Sequence, residues 1–179
     1  PPLMKRRHAL TPQAIGDTDP VAPTMQRPVR SRTRSLAVDA HFEPHCHPWA
    51  QLAYCAQGLI QVTASDVDRQ TTFILPPSRA VWIPPDTRHA VTVLEATELR
   101  TVYLDPSVTP PHWRGCRVLV VSSLMRELIR ALEASTPGER DGALMALTLH
   151  EITHANTQSL GVPLPRDKRL RALCQSVLQ

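Results

Sequence analysis

The sequence predicts a mainly β protein, a small sandwich or barrel that is followed by α-helices. Eighteen prolines against six glycines among 179 residues disfavour an all-helical bundle, because proline breaks helix interiors and is tolerated in turns and edges. Between residues 35 and 104, apolar runs of four to seven residues alternate with turn residues, a pattern typical of short strands. After residue 121 the apolar spacing becomes helical.

The first segment, residues 1–34, is predicted to be a basic, proline-rich and mobile arm. It holds six prolines and shows no sustained apolar period. The barrel is predicted to occupy residues 35–121. Its predicted strands are Leu52–Cys55, Leu59–Val62, Thr72–Leu75, Ala80–Ile83, Ala90–Leu94, Leu99–Leu104 and Arg117–Val121.

Two helices are predicted within residues 122–160. The first begins at Ser122 or Ser123, either of which can cap its first turn, and ends at Pro137-Gly138. Its apolar stripe indicates either packing on the barrel or a dimer seam. The stripe consists of Leu124, Leu128 and Leu132.

The second helix is predicted from about residue 139 to residue 158, with Leu144, Leu147 and Ile152 facing inward. A proline-rich connector follows, and a third amphipathic helix is predicted from Asp167. The chain stops within that helix, so residues 161–179 are expected to be a linker and the start of a further domain.

The positive charge is concentrated at the two ends of the chain. Lysine and arginine number 20 and aspartate and glutamate 16, a net charge of +4. Residues 1–34 carry seven positive and two negative side chains and residues 163–179 carry four and one, which leaves nine and thirteen for the body. An acidic body argues against nucleic-acid binding by the barrel itself.

Localisation is predicted from what the sequence lacks. No apolar run approaches the ~18 residues of a membrane helix, and the basic start is not followed by the apolar run of a signal peptide. The four cysteines show no spacing typical of zinc ribbons. Free thiols in a reducing cytoplasm are therefore expected.

The segment around residues 45–51 carries the most informative chemistry. His45, His47 and Gln51 share one side of an extended strand, because side chains alternate along it. His89 precedes another predicted strand. Three imidazoles and an amide oxygen that converge inside a barrel would suit a divalent transition metal, namely Zn, Ni or Fe. The alternative is a metal-free interior in which the imidazoles bond to Gln51, water or a ligand.

These residues resemble the two cupin motifs, as HxHx3Qx6G followed by PxDxxH. The resemblance implies a cupin barrel of the double-stranded β-helix, or jelly-roll, type. Three positions depart from the family pattern: Gln51 replaces the usual Glu, Asp86 a turn Gly and Val93 a closing Asn. Asp tolerates left-handed turns, whereas a neutral Gln adds no charge to a metal site and argues against dioxygenase-type redox catalysis.

A wider stretch resembles the sensor half of AraC-type transcription regulators. The similarity covers residues 35–179 and rests on HxHxxxQL, on PPSRAVWIPP at 76–85 and on PLPRDKRL at 163–170. It implies a small-molecule effector in the barrel, homodimerisation through a helix, and DNA binding by a helix-turn-helix domain absent from this chain. Trp49, Tyr54 and Trp82 are candidate pocket residues, with core packing as the alternative for each.

Two further readings compete with a regulator. One is a stand-alone metal-dependent cupin enzyme, such as a dioxygenase or isomerase, and another is an interaction module without a ligand. His150-Glu151-Ile152-Thr153-His154 also matches the zinc-protease motif HExxH. No His or Glu follows His154, so a third ligand is lacking and we reject the protease reading.

Overall fold

The computed structural model describes residues 9–66, 69–158 and 161–163. Within these residues, two α-helices follow most of the strands: α1 is Ser123–Glu133 and α2 is Glu139–His154. The strands are, in chain order, β1 Thr11–Pro12, β2 Val29–Leu36, β3 Ala40–His45, β4 Ala50–Cys55, β5 Leu59–Asp66, β6 Arg69–Leu75, β7 Arg79–Ile83, β8 Arg88–Glu95, β9 Thr97–Leu104, β10 Arg117–Val120, β11 Thr157–Gln158 and β12 Gly161–Pro163.

The strands form two six-stranded sheets that build a cupin-like barrel. Sheet one has the order β1-β3-β8-β5-β6-β12, and sheet two has the order β11-β10-β7-β4-β9-β2. Every pairing is antiparallel except that of β1 with β3. The inner faces share one apolar core, which includes Ala53, Cys55, Ile60, Val62, Phe73, Leu75, Val81, Ile83, Val91, Val93 and Leu99.

The outer face of sheet two has a second core, covered by the helices. The side chains of Leu52, Tyr54 and Trp82 are fully buried there. They belong to one apolar cluster with α1 and α2 residues, among them Met125, Ile129, Leu132, Met145 and Ile152. Alternation along β4 therefore decides which residues face the barrel interior and which face the helices.

All seven predicted strands are present as β4 to β10, although the last ends at Val120 rather than at Val121. Five strands were missed: the short β1, β11 and β12, and the longer β2 and β3. β2 carries arginines at 30, 32 and 34 and small polar residues between them, so it lacks an apolar period. β3 contains Pro44, which lies where the β3–β8 register shifts between Phe42 and His45. Proline is tolerated at such irregularities because the pairing is locally interrupted.

The predicted arm differs from the structure from Val29 onward. β2 is a full strand of sheet two, paired with β9 over eight residues, so the barrel begins at 29 rather than at 35. Before it, β1 pairs with β3, and Asp19–Val21 forms one 3-10 turn. The prediction of a mobile arm is therefore wrong for the residues of β1 and β2. Strand pairing gives a segment a defined structure even where its composition does not predict one. Residues 1–8 lie outside the described residues.

Both helices are confirmed, with differences in detail. Ser122 caps α1, since its Oγ accepts a hydrogen bond from the Met125 N–H at 3.0 Å. α2 ends at His154 rather than at 158, because residues 157–158 pair with β10 as β11. The inward position predicted for Leu147 is wrong, as its side chain is 52% exposed.

The predicted linker begins as a strand. Gly161–Pro163 pairs antiparallel with β6 and extends sheet one. The third helix predicted from Asp167 lies outside the described residues. No helix in the described part of the chain is both long and apolar enough to cross a membrane.

Candidate metal and ligand site

His45 and His89 face one another across two neighbouring strands. They are paired in the β3–β8 register, and their ring centroids lie 4.3 Å apart. His89 sits at the start of β8 and is only 1% exposed, whereas His45 ends β3 and is half-buried. The pairing of two neighbouring strands of sheet one thus brings together two histidines that are 44 positions apart in the sequence.

His47 is added to this pair by the turn before β8. Asp86 donates its backbone N–H to the His47 carbonyl oxygen at 2.9 Å. Asp86 adopts the left-handed conformation, with φ at 59°, as expected of a residue in the place of a turn glycine. The His47 ring centroid lies 5.1 Å from that of His89 and 6.1 Å from that of His45.

The hydrogen bonds of the three rings fix their tautomers. Each Nδ1 lies 2.7–2.8 Å from a backbone carbonyl oxygen. The partner is Glu43 for His45, Trp49 for His47 and Thr87 for His89. A carbonyl oxygen can only accept, so each Nδ1 carries the proton and each Nε2 presents a lone pair. The ligand atoms of the three rings all lie within 4.8 Å of one another. Metal-binding histidines are held in this way.

Gln51 supplies the fourth polar atom. Its side chain, on the interior face of β4, is 5% exposed, and its Oε1 lies 2.7 Å from the His47 Nε2. A lone pair on each of these atoms would be repulsive at that distance. Either the amide turns to donate its N–H, or a cation bound on one side of both atoms would accept both lone pairs.

Burial favours the neutral forms of His89 and His45. It lowers the pKa of His89 to about 4, against the opposing effect of its Thr87 hydrogen bond and with added lowering from His45 and His47. The pKa of His45 is also lowered, mainly by burial. The His89 Nε2 is buried and has no hydrogen-bond partner among the described residues. An unprotonated His89 Nε2 without a hydrogen-bond partner, close to two other imidazoles, is what a site for a divalent metal ion would provide.

The donor set defines what the site can do. Three imidazoles and an amide oxygen carry no negative charge, so a bound divalent ion would keep its full charge. Such an ion would attract and polarise a ligand oxygen. Anionic ligands would therefore be favoured at the remaining coordination positions.

Of the three aromatic residues predicted to line the pocket, the structure brings only Trp49 to the site. Its ring stacks on His47 with centroids 5.2 Å apart. Tyr54 and Trp82 lie on the outer face of sheet two, in the core beneath the helices, so the prediction that they line the barrel pocket does not match their positions. Their strand positions have the wrong parity, because Leu52 pairs with Trp82 and both point away from Gln51.

Sequence reasoning missed two residues beside the histidines. The Tyr103 ring lies 5.7 Å from His47 and 6.0 Å from Trp49, edge to face in both cases. Burial raises the pKa of Tyr103, and the neighbouring Arg32 guanidinium partly offsets that rise. Tyr103 was within a predicted strand, and β2 alternates arginine with other residues. Only the β2–β9 register shows that both belong to the site.

The helix stripe proposed as a dimer seam packs mainly inside the chain. Leu128 and Leu132 are buried, and Leu132 belongs to the core beneath the helices. Leu124 is 54% exposed. The alternative of intramolecular packing therefore describes two of the three leucines, because the amphipathic face of α1 is used to cover sheet two.

The HExxH histidines form no metal centre with a third group in the described residues. His150 and His154 stack on the surface of α2, with ring centroids 4.1 Å apart. Glu151 accepts a hydrogen bond from the Ser122 Oγ at 2.8 Å, which anchors α2 to the start of α1. In the described residues, the only group of three potential metal ligands is the cluster of His45, His47 and His89.

Comparison with known proteins places this barrel in a family of ligand-binding domains. The profile of the AraC-like ligand binding domain matches residues 31–148, and the chain belongs to that family. A curated relative is the HTH-type transcriptional regulator NimR of Escherichia coli K12, 29% identical over 136 residues, 73% of this chain and 48% of NimR. The chain thus spans about half the length of that relative.

Two solved structures align with about 70–74% of this chain. Oxalate decarboxylase from Bacillus subtilis aligns with a TM-score of 0.42 and 24% identity, over 74% of this chain and 32% of that chain. ToxT from Vibrio cholerae aligns with a TM-score of 0.51 and 6% identity, over 70% of this chain and 55% of that chain.

Proposed function

We propose that this chain is the effector-sensing part of a transcription regulator and that its barrel binds a small molecule at a three-histidine metal centre. Membership of the ligand-binding family supports the sensing role. The convergence of His45, His47 and His89 in one half-buried pocket, each with its Nδ1 held by a carbonyl, carries the assignment of the site.

In this proposal Zn, Ni or Fe in the divalent state is held by the three Nε2 atoms, with the Gln51 oxygen as fourth ligand. Imidazole suits all three metals, so the ligand type alone does not choose among them. The metal would supply a cationic anchor for an effector oxygen. The histidine hydrogen bonds would hold that anchor in place by turning the Nε2 lone pairs toward it, and Trp49 would shield one side of it.

Metal content tests the site. Purified protein incubated with Zn²⁺, Ni²⁺ or Fe²⁺ and freed of excess metal should retain one equivalent by elemental analysis. His47→Ala should abolish this retention, because two imidazoles rarely hold a divalent ion against buffer. Changing both surface histidines, His150→Ala with His154→Ala, is the matched control and should leave it intact. Wild-type protein without stoichiometric metal would overturn the metal assignment.

A metal-dependent cupin enzyme, a dioxygenase or isomerase, is the second candidate, because the same three imidazoles would serve it. Gln51 favours sensing over catalysis in our proposal. A neutral amide neither balances the metal charge nor acts as a general base. Oxygen uptake, or isomer interconversion, that is abolished by His47→Ala would support the enzyme instead.

We further propose that the regulator acts as a homodimer and contacts DNA through a helix-turn-helix domain outside this chain. Leu124 on α1 and Leu147 on α2 are the exposed leucines that the helices offer. Sedimentation should show a dimer at micromolar concentration, and Leu147→Glu should shift it to monomer. Arg126→Glu, an exposed change on α1, is the control. A monomer at every concentration would contradict the dimer.

The sensing role itself is testable by fusion. The chain joined to the DNA-binding half of an unrelated regulator that requires dimerisation should drive occupancy of that regulator's operator. Occupancy should fall with Leu147→Glu and change when the effector is added. If the DNA-binding half alone occupies the operator as fully as the fusion does, the sensing role is contradicted.

A further inference from the structure

A row of arginines faces the barrel interior beside the histidine cluster. Arg30, Arg32 and Arg34 alternate along β2, and the β9 residues opposite them are Tyr103, Thr101 and Leu99. Leu99 belongs to the interior core, and the Arg34 guanidinium lies 4.7 Å above the ring of Phe42, which also belongs to that core. Because side chains of one parity share a face, this edge of sheet two turns cations toward the interior.

Two of these cations, Arg32 and Arg34, bond to backbone carbonyl oxygens. No ion pair joins Arg32 or Arg34 to a carboxylate anywhere in the described part of the chain. Their bonds go instead to neutral backbone oxygens: Arg32 donates to the Ile15 carbonyl at 3.2 Å and Arg34 to that of Ala14 at 2.9 Å. Burial, then the charge of Arg32, lowers the pKa of Arg34. An anion between them would relieve this repulsion.

The arginines are linked to the histidine cluster through aromatic side chains. Tyr103 neighbours both Arg32 and the rings of His47 and Trp49. The indole N–H of Trp49 is buried and finds no acceptor among the described residues. The histidine cluster therefore offers lone pairs without a cation, and beside it lie an indole N–H without an acceptor and guanidiniums bonded only to neutral groups.

We infer that the barrel binds a small organic acid, whose carboxylate is held by Arg32 and Tyr103 while a second oxygen binds the metal at His45, His47 and His89. This rests on the proposed function, whose effector site it completes. A guanidinium matches a carboxylate in geometry and charge, and the neutral ligands of the metal leave its charge for an anion.

Malonate and its uncharged analogue malonamide are the probes. Both have two oxygen-bearing ends separated by one carbon, and they differ in charge. Calorimetry on the zinc-loaded protein should show malonate binding at least 10-fold more tightly than malonamide, because charge-assisted bonds to carboxylate are the stronger ones. Equal affinity for the two compounds, or no binding of malonate, would overturn the inference without any variant being needed.

Variants then locate the carboxylate. Arg32→Gln should weaken malonate binding by about 10- to 100-fold, and Tyr103→Phe by less, since it removes one neutral donor. Arg126→Gln on α1 removes the same charge far from the interior and should leave affinity within about twofold. Thermal unfolding checks that each variant is folded, and Arg32→Lys, which keeps the charge, should bind between wild type and Arg32→Gln. Unchanged affinity in Arg32→Gln would overturn the inference.

A titration with Zn²⁺ alone separates this inference from the proposed function. If the metal binds and malonate is not preferred, the metal site stands and the organic-acid assignment falls. If the metal does not bind, the same calorimetry on metal-free protein decides the arginine subsite. Malonate binding that depends on Arg32 would then support the subsite alone, and its absence would overturn both.

Discussion

The two faces of sheet two do different work in this protein. The outer face is largely apolar and is covered by α1 and α2, with Leu52, Tyr54 and Trp82 fully excluded from solvent. At one end of the inner face, Gln51 and Tyr103 lie against the imidazole cluster, with the Gln51 Oε1 2.7 Å from the His47 Nε2 and the Tyr103 ring centroid 5.7 Å from that of His47. Neighbouring residues of one strand, Gln51 and Leu52, serve these opposite purposes. Strand alternation thus separates the source of stability from the site of binding by a single residue.

The largest expected effect is on the outer face. Trp82→Ala should lower the free energy of unfolding by about 3–5 kcal/mol, because it leaves a large cavity among Trp113, Leu119 and the helix residues. Urea unfolding measures this loss. Under native conditions the variant should still retain one equivalent of metal. Loss of metal from folded Trp82→Ala protein would break the proposed separation of the two faces.

A polar anchor on the helix side should show as a pH dependence. Asp141 is buried and accepts bonds from Arg27 at 2.7 and 2.9 Å and from Ser135. The Arg27 guanidinium, aided by Ser135, holds the pKa of Asp141 below its usual value. A carboxyl with a lowered folded pKa adds stability that is present above its unfolded pKa and lost as the pH falls through the folded one.

Asp141→Asn should therefore cost about 2 kcal/mol at pH 7, the typical value of bonds to a charged group. It should also flatten the fall in stability between about pH 5 and pH 2. Urea unfolding across that range measures both. Glu139→Gln, in the exposed first turn of the same helix, is the control and should keep the wild-type slope. An equal slope in Asp141→Asn and wild type would contradict this account.

On the inner face, Gln51→Glu should strengthen metal binding and weaken the metal-free fold. A carboxylate adds a charged ligand, so the affinity for Zn²⁺ should rise about 10-fold, worth ~1.4 kcal/mol. Without metal, the same buried carboxylate should destabilise the fold, because it lacks a cation. Calorimetry and thermal unfolding with and without metal check both effects. Unchanged affinity would show that residue 51 is no ligand.

The smallest effect is expected at the turn that positions His47. Asp86→Gly should change stability by less than about 1 kcal/mol and leave metal retention intact, since glycine adopts the left-handed conformation freely. Asp86→Val should destabilise the turn and weaken metal retention, because a β-branched residue strains that conformation. Equal behaviour of the two variants would show that this backbone conformation does not matter to the site.

The sequence predicted those strands that are buried on one or both faces. β4 is buried along its whole length and therefore appears as a continuous apolar run. β2 lacks such a run, because it turns arginines inward and small polar residues toward the helices. Its place as a strand depends on pairing with β9, which is a non-local fact that no local pattern contains.

The candidate site was predictable in the same uneven way. His45, His47, Gln51 and His89 lie in two short motifs whose spacing indicates a shared pocket, and the structure brings their side chains together. Tyr54 could have been excluded, since it lies three positions after Gln51 and so faces the other side of β4. Arg32 and Tyr103 could not have been found, because their proximity to His47 depends on strand register.

The tautomeric states of the three histidines test the central claim most directly. Nitrogen-15 NMR of the side chains distinguishes an imidazole protonated at Nδ1 from one protonated at Nε2. In metal-free protein at pH 7, we predict that His45, His47 and His89 are all protonated at Nδ1, and that one equivalent of Zn²⁺ shifts their three Nε2 signals together. Protonation at Nε2, or signals that Zn²⁺ leaves unchanged, would contradict the account.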